Sequence, residues 1–516
     1  MRKSAARSPA RSIAATAIRG CKMAGYDIVV VGAGSAGCVV AARLAQRGAS
    51  VLLLEAGPDY PSQSTLPGEI ADSRMPAFTH DWGYSSVPGR VGRELPLPRG
   101  RLVGGCSATN ACFALRGSPA DYDQWAAMGN EGWTFDECLP FFCAAESDAD
   151  FGSASWHGIA GPLPIRRYVE SERNAFQEAL ISAATGAHPY VADHNAPGAV
   201  GVGPVPVNAV GGLRMSAALA YLAPLRALPN LTIRSDALVD RVVIQSRRAV
   251  GVRLAAPEEA IGADLVILAA GTYASPTLLM RSGIGLAAEL AAFGVQCEVD
   301  LPNVGGNLTD HPWVPSPLPV TIPAEGPGFQ AVLTWRGADA DSSGPPDLQI
   351  FAQGPFNNEG RPVASLCAAV LKPHSRGRVT LRSLNPAAPP VIDLGLLTDP
   401  SDLRRLCEAV RHARRLLSAP QFKAIAGKEL QSSDAIGHAE LEANVWANVR
   451  TYHHPTGTCA MGPDPALAVV DSRGRVHGME RLVVADASVM PNIPSANTNL
   501  PTIMIAERIA AALAPM

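Results

Sequence analysis

The sequence predicts an α/β fold in two parts, and three features carry that prediction. Tyr26 to Gly57 reads as strand, turn, helix and strand, with G-x-G-x-x-G at the turn. Gly328 to Asp393 alternates apolar and polar residues between proline-rich turns, the period of an antiparallel sheet. At 516 residues the chain exceeds what one hydrophobic core usually serves, so two domains are expected.

In the first feature, Asp27–Val31 is a mostly β-branched run, short enough for a buried parallel strand. It stops at Gly32, and Gly34 and Gly37 complete the motif. Cys38–Gln46 then reads as a helix closed by Gly48, and Ser50–Leu54 as a second strand ending in Glu55. In such a unit the first glycine permits the tight turn, the second lets backbone approach a pyrophosphate, and the third packs helix on strand. The helix start, with Ser35 and Ala36, offers an anion site, while Glu55, next to Ala56, can accept from ribose hydroxyls. A Rossmann-like dinucleotide domain is therefore expected; the bland alternative is a glycine-rich turn in an ordinary α/β fold.

Composition narrows the class. With 43 basic against 46 acidic residues and a net charge of −3, nothing suggests nucleic acid or an anionic membrane as partner. No apolar run is long enough for a membrane span. The 10 cysteines are scattered without C-x-x-C pairs, which points to reduced thiols and a cytoplasmic location. Residues 1–23 are basic, acid-free and without periodicity; they read as a disordered tail, or as sequence ahead of a start at Met23, outside the fold.

Along the chain, a proline-rich stretch containing Trp82 leads to Gly104 and Gly105, which allow close backbone approach to a flat ligand; Cys106–Ala114 then reads as the start of a helix. Asp121–Ala127 and Thr134–Phe142, the latter with Thr134 as N-cap, read as short helices, followed by another around Asn174–Ala183. Strands are expected at Asn230–Arg234, Ala237–Ile244, Val250–Leu254 and Asp264–Ala269. Helical patterns cover Pro400–Leu417, Ala439–Val449 and Leu500–Ala512.

The glycine motif, the Arg101–Arg116 block, LPNVGGNLTDHP at Leu301–Pro312, YHHPTGTCAMG at Tyr452–Gly462 and the block Val483–Ala510 together resemble the glucose–methanol–choline (GMC) family of flavin oxidoreductases. They occur in the family's order from Tyr26 to the C-terminus. HGxxGPLPI at His157–Ile165 is most similar to the branch that oxidises hydroxymethylfurfural and aryl alcohols. The resemblance implies an FAD-binding domain assembled from 24–155, 230–315 and 460–516. It also implies a substrate domain from 156–229 and 316–459, built on the antiparallel sheet and capped by helices. It places Trp82, Val103, Gly105, Asn110, Ala111, Cys112, Phe113, the backbone of Val239, His453, Asp486, Ala487, Thr498, Asn499 and Thr502 around the cofactor. The family's linkage position is Thr109 here, which cannot bond flavin covalently, so non-covalent FAD is expected. Cys106 and Cys112 read as packing residues.

Alcohol oxidation needs a base beside the substrate hydroxyl. By resemblance that base is His454; its neutral ring is the active form, so raising pH is expected to accelerate the reaction. Asn497 matches the second catalytic position, where an amide can donate to the developing alkoxide but cannot act as base. Its bland reading is a cap on the last helix. His453 departs from that branch, which carries tryptophan there. No metal site is suggested by spacing. The expectation is a primary alcohol, aromatic or furanic, oxidised to the aldehyde, with oxygen or a quinone-like acceptor taking the electrons. The fold class also admits a lyase, a light-driven decarboxylase or a non-catalytic flavin-binding module.

Overall fold

A computed structural model describes residues 25–426 and 437–513. The stretch 1–23, read above as a tail, lies outside the described residues. Two sheets organise the chain. The first has seven strands, in the order Leu231–Arg234, Val51–Leu54, Gly25–Val31, Ala260–Leu268, Arg248–Leu254 and Val239–Gln245, with Leu482–Val484 also on Ala260–Leu268. The central strand runs parallel to both neighbours, Val29 standing beside Leu52 on one side and Val266 on the other. Its residues from Val29 to Val31 are buried on both faces, which is why the sequence shows a continuous apolar run rather than alternation. The strand Ala260–Leu268 forks: its first half pairs antiparallel with Arg248–Leu254, its second half parallel with Leu482–Val484. Helices Ser35–Gln46 and Asn499–Ala512 pack together over this sheet in one core.

The second sheet is antiparallel throughout, in the order Arg450–Thr451, Pro312–Pro319, Arg361–Val370, Leu348–Asn358, Ala331–Trp335 and Val202–Pro204. Helices Ala175–Ala184 and Pro400–Leu417 bury one face of it around Leu333, Ile350 and Leu366. The other face carries an aromatic cluster of Phe113, Trp313, Phe329 and Phe351. Residues Arg378–Thr380, expected in this sheet, form a separate two-stranded ribbon with Val391–Asp393.

One helix expectation fails. Cys106–Ala114 contains only a single 3-10 turn, Gly105–Ala108. Left-handed backbone at Gly104, Gly105 and Cys112 (φ 107°, 49° and 63°) breaks any longer helix, and Phe113 instead bridges to Val207. By contrast, Thr134 caps Phe135–Ala145 as expected: Glu137 Oε2 accepts from its backbone N at 3.1 Å.

Candidate functional site

A cavity of about 850 Å³ runs from the C-terminal ends of the parallel strands, at Val31 and Leu54, to the aromatic face of the second sheet at Trp313 and Phe351. This is the edge where open α/β sheets receive ligands. Gly32, Gly34, Ser35, Ala36, Glu55, Ala56, Trp82, Gly105, Asn110, Ala111, Phe113, Val239, His453, His454, Asp486, Ala487, Asn497, Thr498, Asn499 and Thr502 all line it. The fold thus gathers residues from both ends of the chain.

Three expected contacts stand off the wall. Gly37 lies inside the first helix, where a Cβ would meet Gly32 O at 1.8 Å, so it packs the helix onto the turn. Val103 is buried, its N–H donating to Pro58 O at 2.9 Å. Cys112 turns into the core, its sulfur 3.8 Å from Arg214 Nη1. Cys106 goes the other way: expected in packing, it is half-buried on the cavity wall.

At the nucleotide end, Glu55 is pinned by two backbone donors, Ala33 N–H at 3.0 Å and Gly57 N–H at 2.9 Å. Burial pushes its carboxyl up to about 7, with those N–H groups opposing the rise. Gly32 needs its left-handed φ of 96°, and a Cβ there would strike Ala269 O at 2.6 Å. Asp486 is spoken for within the protein: Gly271 N–H (2.9 Å) and the Ser275 hydroxyl (2.6 Å) donate to one oxygen, Ser488 N–H (2.8 Å) to the other.

The other end is built by a crossing of two segments. Thr309 bridges to Thr456 and Pro312 pairs with Thr451, so the DHP tripeptide at 310–312 lies alongside Thr451–Thr456. Asp310 accepts from His454 N–H at 2.9 Å and from the Thr451 hydroxyl, fixing the backbone on both sides of His453. His453 is left-handed (φ 64°), and Arg99 Nη2 donates to its carbonyl at 2.8 Å. That leaves the His454 ring held at both nitrogens, with Nδ1 3.0 Å from His311 Nδ1 and Nε2 3.2 Å from Asn497 Nδ2. Tyr452 packs on it, ring centres 4.4 Å apart. Thr498, not Asn497, occupies the N-cap of the last helix, freeing the amide to face His454.

Charge here is strongly suppressed. Burial holds His454 well below the ordinary histidine value, and nearby His311, His453 and Arg99 lower it further. Burial brings His311 and His453 each down to about 3, aided by Lys372 and by Arg99 respectively. The site therefore offers uncharged imidazole, a proton acceptor.

Arg99, Asp310, His311 and Thr451 were not singled out from sequence. The signal was present, since Asp310 and His311 lie in a block carrying the family resemblance, but nothing local says that this block crosses the one at Tyr452. The fold also gathers Glu146, Asp148 and His157 within 4.8 Å, a cluster hidden by sequence spacing. Arg116 pairs with Glu146 and Arg167 with Asp148, so cations already compensate these carboxylates.

FAD suits the residues present. Gly34 has no heavy atom within 4 Å of where a Cβ would stand, leaving bare backbone toward the cavity, and Glu55 supplies a buried carboxylate acceptor beside it. Two family models described as GMC oxidoreductase match residues 26–313 and 373–506. The chain is 36% identical to 5-(hydroxymethyl)furfural oxidase of Methylovorus sp. (strain MP688), covering 95% of this chain and 98% of that protein. It is 34% identical to oxygen-dependent choline dehydrogenase of Paraburkholderia phymatum, over 94% of this chain and 92% of the relative. Among solved structures, pyridoxine 4-oxidase from Mesorbium loti superposes with a TM-score of 0.87 at 32% identity, covering 95% of this chain and 99% of that one. The chain belongs to the GMC oxidoreductase family and is an FAD-dependent oxidoreductase acting on CH–OH donors.

Proposed function

We propose that this enzyme oxidises a primary aromatic or furanic alcohol to its aldehyde, with His454 taking the hydroxyl proton. The observation that carries the reading is the facing pair on the cavity wall, His454 Nε2 and Asn497 Nδ2 3.2 Å apart. An uncharged Nε2 accepts a proton, the amide N–H groups donate to the oxygen left behind, and among the described residues no titratable group hydrogen-bonds that nitrogen. FAD, when bound, supplies the hydride acceptor at N5. Glu55 and the Gly32–Gly37 turn would hold its nucleotide portion, and the segment from Thr498 to Thr502 its flavin end. Thr109 lines the cavity, and a threonine there keeps the cofactor non-covalent; acid precipitation should release the yellow colour into the supernatant.

Aromatic walls favour a flat substrate: Phe113, Phe329, Phe351 and Trp313 form edge-to-face and tilted pairs beside the base. The furfural and pyridoxine named in two relatives agree with that shape. Those relatives are oxidases by name, so we take oxygen as the acceptor; oxygen uptake matched to aldehyde formation tests this against dye or quinone reduction. The seven-stranded sheet supports assigning 24–155, 230–315 and 460–516 to the cofactor, and the six-stranded sheet 156–229 and 316–459 to the substrate, except that the strand Pro312–Pro319 of the second sheet straddles the boundary at 315. Nine free cysteines among the described residues accord with a reducing, cytoplasmic setting. Lyase, photochemical and non-catalytic readings gain nothing from the relatives. The test is anaerobic bleaching of the flavin by a panel of aryl, furanic and aliphatic alcohols. Failure of all of them would remove the reading.

A further inference from the structure

Beyond the reacting pair, the cavity carries a guanidinium with no counter-charge. Arg450 lines the cavity and is exposed there. Its strand register sets it opposite Trp313, and its Cζ stands 5.6 Å from the centre of that indole. Among the described residues its guanidinium makes no hydrogen bond and no ion pair. None of the four carboxylates on the cavity wall forms an ion pair with it. Glu55, Asp81 and Asp486 accept from backbone N–H groups, and Glu94 accepts from the Ser85 hydroxyl.

A ladder of rings connects this cation to the base. Trp313 and Tyr452 have centres 6.4 Å apart, and Tyr452 and His454 4.4 Å. Resting on the reading of His454 as the reacting end, we propose that Arg450 selects aromatic alcohols that carry a carboxylate across the ring from the hydroxymethyl group. The ring lies along Trp313 and Tyr452, the hydroxyl meets His454, and the carboxylate meets the free fork of Arg450. The charge argument also decides against the opposite class. An aromatic box can hold a quaternary ammonium, but a cation placed along Trp313 here would meet the like charge of Arg450.

The test compares kcat/KM for 4-(hydroxymethyl)benzoate and for its methyl ester, in the wild-type holoenzyme and in Arg450→Gln and Arg450→Lys. A charge-assisted hydrogen bond predicts a preference of about tenfold or more for the acid. Arg450→Gln should erase that ratio while leaving the ester rate near wild type, and Arg450→Lys should restore part of it. Raising salt should shrink the ratio in the wild type and in Arg450→Lys but not in Arg450→Gln. Equal use of acid and ester by the wild type, or an unchanged ratio in Arg450→Gln, overturns this inference while the alcohol reading stands. If neither compound bleaches the flavin, the alcohol reading itself falls, and this inference with it.

Discussion

The Nδ1 atoms of His311 and His454 lie 3.0 Å apart, so one ring must donate and the other accept. With the Asn497 amide donating to Nε2, His454 keeps its proton on Nδ1, and His311 is the acceptor. The lone pair is thereby held toward the cavity by two uncharged partners. Among the described residues no carboxylate hydrogen-bonds this ring; Asp310 is spent on the backbone N–H of His454 and the Thr451 hydroxyl.

His454→Ala should leave the protein yellow and slow anaerobic flavin reduction by alcohol by about 10²–10⁴-fold, the usual worth of a positioned base. His453→Ala should cost less, because among the described residues its side chain hydrogen-bonds neither Asn497 nor His311; what the position supplies is a left-handed backbone and a carbonyl for Arg99. Rapid-mixing traces settle the order, and a worse defect in His453→Ala would move the base by one residue.

The pH profile should differ from the sequence expectation. A histidine held well below its ordinary 6.5 is already deprotonated at neutral pH, so raising pH further gains no active form. Reduction rates should stay flat from pH 6.5 upward and fall only on acidification. A rate that climbs between pH 6.5 and 8 in wild type and not in His454→Ala would show a histidine titrating normally, against the burial described here.

Cofactor retention should weaken as pH falls through about 7, the value to which burial lifts Glu55. The ionised carboxylate accepts more strongly than the neutral acid from ribose hydroxyls while also accepting from Ala33 and Gly57 N–H. Glu55→Gln should hold FAD about ten- to a hundredfold less tightly above that pH, and its affinity should no longer change with pH. Flavin fluorescence after dialysis at several pH values measures both effects.

Stability should carry a separate pH signature from the buried cluster at His157. Its Nδ1 is 2.6 Å from Glu146 and 3.2 Å from Arg116 Nη2, and its Nε2 is 3.0 Å from Asp193, so the charged ring donates to two carboxylates. Burial opposes that charge, yet the hydrogen bonds to Asp193 and Glu146 outweigh it and raise the pKa. A raised folded-state value means the stabilisation is complete below 6.5 and is lost as pH rises through the raised value. Melting temperature should therefore drop on the alkaline side in wild type. His157→Gln should be less stable at pH 6 and lack that alkaline drop.

Much of this was legible beforehand, for reasons visible in single residues. A run such as Ile28–Val31 followed by Gly32 leaves a strand and a tight turn little alternative; the second sheet's strands are set off by proline-rich turns, although burial on both faces leaves little of the expected alternation in them. Short polar signals worked where they act locally, as at Thr134 and Glu137. What stayed hidden was contact between distant segments. His311 lies 143 positions from His454, and only the strand pairing of Pro312 with Thr451 brings them together. The same holds for Glu146, Asp148, His157 and Asp193, and for Arg450, whose importance comes from what surrounds it rather than from its neighbours in sequence. Cys106–Ala114 failed for the opposite reason: helix-compatible side chains were overruled by two preceding glycines in left-handed backbone.

His454 and Asn497 do not belong to the same half of the molecule. The histidine hangs from the end of a strand of the antiparallel sheet, whereas Asn497 leads into the helix that packs over the parallel one. Their 3.2 Å separation is thus a gauge of how the two halves are seated. Mild heating or denaturant that lets the halves slip, without melting either, would switch the enzyme off while it stayed coloured and folded. Turnover would then report on the seam between the sheets earlier than any optical probe of the sheets themselves.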